Sequence, residues 1–187
     1  MYAGPGFGGS CFPKDVRALI KIAKDHNYHA EMFLQTLSTN EKQKYVLADM
    51  ANDYFGSDLA GKVFSVWGLA FKAGTDDMRE SSALTIIQRL IDQGARVQAH
   101  DPEAMKMAKQ PEYFGDDSRI TYFDDKYAAL DGADALLIIT EWKDFRTPDF
   151  QEMKKRLNKP LIFDGRLLYE PKKMKEIGFE YKSIGRK

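Results

Sequence analysis

The chain has 187 residues, 43% of them hydrophobic, and its 28 lysines and arginines balance its 28 aspartates and glutamates. That length suits one ordinary domain plus an extra segment, and a net charge of zero offers no electrostatic case for nucleic acid or an acidic membrane surface. A single cysteine excludes an intrachain disulfide and fits a reducing cytoplasm, where this chain is expected to reside. No apolar run approaches the roughly 20 residues that span a bilayer. The opening MYAGPGFGG lacks the basic and apolar regions of a signal peptide.

Residues 1–10 read as a loop, with glycines at 4, 6, 8 and 9. Glycine lets a backbone approach a ligand closely and adopt φ > 0 at little cost. Cys11 follows, then Pro13, Lys14 and Asp15. Proline suits the first helical position, where its missing N–H would have had no partner. Val16, Leu19, Ile20 and Ala23 fall at i, i+3, i+4 and i+7, one face of a helix that fades near Asn27. His26 and His29 have no nearby set at ligand spacing and read as ordinary surface or packing histidines. A second helix is expected to begin near Ser38 to Asn40, all capping residues, and to end before Gly56. Residues 1–58 are therefore a helical segment, too thinly apolar to make a core alone, that packs on something else.

From Gly61 the pattern changes to that of a second unit, residues 59–187. KVFSVW reads as a buried strand, FKAGTDDMRES as a polar loop, and SALTIIQRLIDQ as a helix. Ala83, Leu84, Ile87, Leu90 and Ile91 share that helix's apolar face, and Gly94 stops it. RVQAH is the next strand, closing a βαβ unit. A short helix over 103–109, a strand over Ile120–Phe123 and a helical turn over Lys126–Leu130 follow. Ala135–Thr140 is the clearest buried strand. A helix over Pro148–Leu157, a strand over Leu161–Phe163, a helix over Pro171–Ile177 and a strand over Tyr181–Ile184 complete the chain. The alternation predicts an α/β fold: a helical N-terminal segment, then a doubly wound, mainly parallel Rossmann-like sheet.

Ligands of such sheets sit beyond the carboxyl ends of the strands. Two stretches fall there, Phe71 to Glu80 and Asp164 to Arg166, and both should face one rim. Lys72, Arg79 and Arg166 would bring positive charge suited to phosphate or pyrophosphate, unless they are simply solvated. The glycine spacing is not GxGxxG, so no dinucleotide fingerprint is assigned. Cys11 sits where a helix presents free N–H groups and a partial positive charge, which favours the thiolate, and Lys14 would push the same way. A lone cysteine also serves often enough as a small buried hydrophobe, and the residues alone leave both readings open.

Three stretches, GFGGSCFPKD, VWGLAFKAGTDDMRESSA and IFDGRLLYEP, occur in that order and together resemble the signatures of the UDP-glucose/GDP-mannose dehydrogenase family over nearly the whole chain. The resemblance implies a two-domain enzyme in which an N-terminal Rossmann domain holds NAD, a central helix dimerises, and a C-terminal domain holds the nucleotide sugar. It implies two successive oxidations at C6 of the hexose through a cysteine adduct. Matched by motif, Cys11 is the nucleophile, also beside the cofactor, and Asp15 handles water or protons. Tyr2, Gly4, Gly6, Phe7 and Gly8 lie against the sugar and its phosphates, Phe71 and Lys72 contact the nucleotide sugar, Arg79 reaches NAD, and Arg166 enters a neighbouring subunit's substrate site in a homodimer. The CFPKD form favours UDP-glucose over GDP-mannose. Trp142 is assigned no role beyond packing. The family's NAD-binding part has no counterpart in this sequence, so the chain alone is not expected to turn over UDP-glucose. A non-catalytic nucleotide-sugar-binding or dimerising module is the alternative.

Overall fold

A computed structural model describes residues 3–186. The first helix, α1 (Phe12–Asp25), is followed by α2 (Glu31–Gln43) and α3 (Val46–Phe55). The remainder alternates: β1 (Val63–Trp67), α4 (Ser82–Asp92), β2 (Arg96–His100), α5 (Met105–Ala108), β3 (Ile120–Tyr122), β4 (Ala135–Ile138), α6 (Phe150–Arg156), β5 (Leu161–Asp164), α7 (Pro171–Glu176) and β6 (Glu180–Ser183). Turns of 3-10 helix lie at Ala128–Leu130 and at Lys143–Phe145, the second not foreseen from the sequence. The expected strands fall within two residues of their predicted bounds. No helix among the described residues is long and apolar enough to cross a membrane.

The six strands form one sheet, ordered β3-β2-β1-β4-β5-β6, and every pairing is parallel. The sequence order reverses between β1 and β4, which makes that junction the switch point of a doubly wound sheet. Strands covered on both faces read as continuous apolar runs, and successive side chains go to opposite layers. Phe64, Val66, Leu137 and Phe163 enter one core layer with α3 and α4, while Trp67, Leu136, Ile138 and Ile162 enter the other with Phe145, Met153 and Met174.

Gly68 ends β1 at φ +99°, and a Cβ there would overlap the Thr140 side chain, so the close approach of the β1 and β4 ends requires glycine. In α4, Ile86 is buried while Leu84, expected on the core face, is only half-buried.

The N-terminal segment divides. Leu47, Ala48 and Ala51 of α3 belong to the main core, so this helix does pack on the sheet. Helices α1 and α2 pack on each other. Of the apolar face expected on α1, Val16 is buried and Ile20 and Ala23 are half-buried, while Leu19 is 46% exposed. The second helix starts at Glu31, not near Ser38–Asn40. Those capping residues lie inside α2, and Asn40 uses its amide on another segment. The helix start is preceded by Ala30, which caps nothing, so no local signal marked it. A short break at Lys44–Tyr45 separates α2 from α3, which ends at Gly56 as expected.

Candidate active site

The loop after β5 is tied by its own aspartate. Asp164 is buried and accepts from the backbone N–H groups of Arg166 (2.6 Å) and Leu168 (2.7 Å) and from the Tyr181 hydroxyl (2.7 Å). The turn aims Arg166 across the switch point. Its Nε donates to the Ile139 carbonyl at 2.6 Å and lies 3.1 Å from Glu141 Oε2, and its Nη2 donates to the Phe71 carbonyl at 3.4 Å. Burial holds the guanidinium's pKa below its ordinary range, and the charges of Glu141 and Asp164 offset this only in part. Arginine remains charged in such surroundings. These contacts hold the guanidinium at the rim, above the loop that follows β1.

The β1 loop is braced in the same way. Ser81 donates to the Leu69 carbonyl at 2.7 Å and Thr140 to the Ala70 carbonyl at 2.7 Å. Asp101, at the end of β2, is fully buried and accepts from the N–H groups of Leu69, Ala70, Glu103 and Ala104 and from the Trp142 indole. A dinucleotide-binding sheet uses an acid near this place for ribose. Here both carboxylate oxygens are engaged internally, in keeping with the missing GxGxxG. Trp142 thus has a polar role as well as a packing one.

The glycine loop lies over this rim. Gly9 N–H donates to the Arg79 carbonyl at 2.8 Å. A Cβ on Gly8 would fall on the Glu80 carbonyl, so the two backbones meet as only glycine allows. A Cβ on Gly4 would lie 2.7 Å from Arg166 Nη1. From the other side α2 grips the loop: Asn40 bonds both backbone groups of Phe7, and Gln43 Nε2 donates to the Gly4 carbonyl at 2.9 Å.

Together these parts enclose a cavity of about 730 Å³, in the range of small-molecule sites. Gly4, Gly6, Phe7 and Gly8, with Phe71 and Arg166, form one wall. The opposite wall is a stripe on α2, Met32, Gln35, Thr36, Thr39, Asn40 and Gln43, at the i, i+3, i+4 recurrence of one helix face. Sequence reasoning assigns no site role to these α2 residues, Thr39 and Asn40 reading only as caps, although the recurrence itself is visible in the sequence.

Across the glycine loop a second cleft of about 700 Å³ is lined by Lys14, Arg17, Lys44 and Arg79 against Glu41 and Glu80. Its cations are paired: Arg79 with Asp77 at 2.8 Å, and Arg17 and Lys44 with Glu80 at 2.8 and 3.0 Å. The positive rim expected from Lys72, Arg79 and Arg166 is therefore largely offset by Asp77 and Glu141. Lys72 is exposed, its Nζ 5.4 Å from the Phe71 ring centre.

Cys11 occupies the position before α1 without a side-chain capping bond, its exposed thiol 3.7 Å from the Ser10 hydroxyl. Its carbonyl accepts the Asp15 N–H at 2.9 Å, and Pro13 stands in the first turn as expected. The Lys14 ammonium bonds the Asp15 carboxylate at 2.6 Å, and that bond raises the lysine's pKa. Of the expected site residues, Gly4, Gly6, Phe7, Gly8, Phe71 and Arg166 line the first cavity and Arg79 the second cleft. Cys11, Asp15 and Lys72 line neither. Tyr2 lies outside the described residues.

The family model described as "UDP-glucose/GDP-mannose dehydrogenase family, UDP binding domain" matches residues 65–171, and the one for the central domain of that family matches residues 1–42. The chain is 46% identical over its full length to the UDP-glucose 6-dehydrogenase of Pseudomonas aeruginosa and 42% identical to UDP-glucose 6-dehydrogenase TuaD of Bacillus subtilis. It spans 41% and 39% of the length of those two proteins. A solved UDP-glucose dehydrogenase from Pyrobaculum islandicum superposes on 96% of the chain with a TM-score of 0.80 at 31% identity, the match taking in 38% of that structure.

Proposed function

The chain belongs to the UDP-glucose/GDP-mannose dehydrogenase family, and from that premise we propose that it is the portion of an NAD-dependent UDP-glucose 6-dehydrogenase that holds the nucleotide sugar and the catalytic cysteine. The observation that carries this reading is the closure of the glycine loop over Arg166 and Phe71 at the switch point, with a free thiol on the same loop where α1 begins. Residues 59–187 form the UDP-sugar-binding unit and residues 1–58 the active-site loop and the central, dimerising helices.

In this reading Gly4, Gly6, Phe7 and Gly8, together with Tyr2, Phe71, Lys72 and Arg166, hold UDP-glucose. Arg166 supplies charge to the diphosphate, in the substrate site of the neighbouring subunit of a homodimer. The two oxidations each remove a hydride from C6 of the glucose, chemistry that NAD would supply when bound, with Arg79 in the polar cleft as the residue of this chain that would reach it. After the first hydride leaves, the Cys11 thiolate adds to the C6 aldehyde. Loss of the second hydride turns that adduct into a thioester. Water, positioned by Asp15, then cleaves it to UDP-glucuronate and frees the thiol. Covalent attachment keeps the half-oxidised sugar in place between the two oxidations.

The exposed apolar side chains Leu19, Ile22, Phe33 and Leu34 on α1 and α2 support a homodimer formed through these helices. A cytoplasmic enzyme supplying uronic acid for polysaccharide synthesis accords with the single free cysteine.

The test is a calorimetric titration of this chain with UDP-glucose, with GDP-mannose as the matched control. Heat with UDP-glucose alone supports the proposal. Heat with GDP-mannose alone would move the assignment to the sister activity, and no heat with either would overturn the placement of a nucleotide-sugar pocket in this chain.

A further inference from the structure

Asn40 is 5% exposed, in the interior of α2. Its Oδ1 accepts the Phe7 N–H at 2.7 Å, and its Nδ2 donates to the Phe7 carbonyl at 3.0 Å. One side-chain amide thus satisfies both backbone groups of a loop residue that has no strand neighbour. Buried backbone groups require such partners. Asn40 also stands 3.0 Å from where a Cβ on Gly6 would lie, and Gly6 itself holds φ +102°, so the loop takes a path that its own residues do not favour over others. Beyond Phe7 the coupling continues through packing. The Phe7 ring meets Phe12 edge-on, with centroids 4.7 Å apart, and Phe12 is the first residue of α1, next to Cys11.

We infer that Asn40 is a positioning residue for Cys11: it fixes Phe7, Phe7 fixes Phe12, and Phe12 sets where the start of α1 presents the thiol. The catalytic meaning of this link rests on the reading of Cys11 as nucleophile; the link itself rests on the contacts above. Asn40 touches no reacting atom in this scheme. Its amide, rather than its bulk, is what the loop needs, because donor and acceptor are used together.

The experiment compares the wild-type chain with Asn40→Ala, Asn40→Asp and Ile162→Val, a mild core variant in the opposite layer. Two readouts are taken on each: hydrogen exchange at the Phe7 amide and the rate of Cys11 alkylation by iodoacetamide. Asn40→Ala is expected to speed exchange at Phe7 by about tenfold, the loss of one protecting hydrogen bond, and to change the alkylation rate in parallel. Asn40→Asp keeps the acceptor for the Phe7 N–H and loses the donor to its carbonyl. It should therefore keep much of the exchange protection while still altering alkylation. Ile162→Val should alter neither beyond its effect on global opening. Unchanged Phe7 exchange or an unchanged Cys11 alkylation rate in Asn40→Ala, or equal changes in Ile162→Val, would overturn the inference. A wild-type alkylation rate no faster than that of a simple exposed thiol would instead overturn the activated-nucleophile reading, and the exchange comparison would still decide the Asn40 link.

Discussion

The Lys44 ammonium lies 3.0 Å from the Glu80 carboxylate, and the lysine side chain is only 5% exposed. Lys44 sits at the break between α2 and α3, and Glu80 sits in the β1 loop at φ +57°, a left-handed conformation that glutamate seldom adopts. Arg17 of α1 bonds the other carboxylate oxygen at 2.8 Å. Three elements distant in sequence therefore meet at one carboxylate, directly beneath the glycine loop.

Removing the lysine charge while keeping its length, as in Lys44→Met, leaves Glu80 with Arg17 as its remaining partner. Taking one partner from a buried pair is costly, and a loss of about 1–3 kcal/mol is expected, below the figure for fully buried pairs because Glu80 is partly solvated. Urea unfolding measures it. A variant as stable as the parent would show that the pair contributes nothing net.

The same carboxylate sets a pH dependence. Burial pushes the Glu80 pKa up, but the hydrogen bonds from Lys44 and Arg17 outweigh it and leave the pKa below its ordinary 4.5. A depressed pKa in the folded state contributes stability that is fully present above the unfolded value and is lost as pH falls through the folded one. The stability difference between the parent and Glu80→Gln should be flat near neutral pH and shrink in acid. Denaturant titrations across that range check it, and a difference that grows in acid would refute it.

Two glycines separate fold from site. Gly68→Ala forces a side chain into φ +99° against Thr140 and is expected to cost about 2–4 kcal/mol of folding stability. Gly8→Ala meets the Glu80 carbonyl and should displace the loop, weakening UDP-glucose binding at least about tenfold while leaving the unfolding midpoint nearly in place, since loops open locally at low cost. Paired calorimetry and urea titration read both. Equal binding by Gly8→Ala and its parent would argue against the loop as a wall of the sugar site.

Asp101→Asn keeps the shape of the side chain and turns one acceptor into a donor facing backbone N–H groups and the Trp142 indole. An expected loss of about 2–4 kcal/mol follows from leaving buried donors unpaired. Trp142 should report it through a shift in emission that Trp142→Phe removes. An unchanged spectrum and midpoint would mean the carboxylate is replaceable here.

Much of the fold is legible residue by residue. Ala135 to Ile138 is apolar at every position because its strand is covered on both faces, and Gly94 and Gly56 stop helices where a positive φ is needed. Pro13 marks the start of α1, which places Cys11 at its cap. The glycine loop is legible as a place of close approach, though not what it approaches. The start of α2 carries no cap, and Ser38 to Asn40 read as a false one: they lie inside the helix, where Thr39 and Asn40 line the cavity and Asn40 holds the loop. The apolar face of α1 signals a partner that this chain supplies only at Val16 and, in part, at Ile20 and Ala23.

The sequence by itself determined the α/β alternation, the parallel sheet and the loop that bears the thiol. These follow from burial periods and backbone preferences acting over a few neighbouring residues. Only the tertiary structure decided which polar groups became partners: Asn40 with Phe7, Lys44 with Glu80, Arg166 with Glu141 and the Phe71 carbonyl. Such pairings depend on which distant segments the strand order brings to one rim, and on burial, which makes a buried polar group without a partner costly enough to select its own.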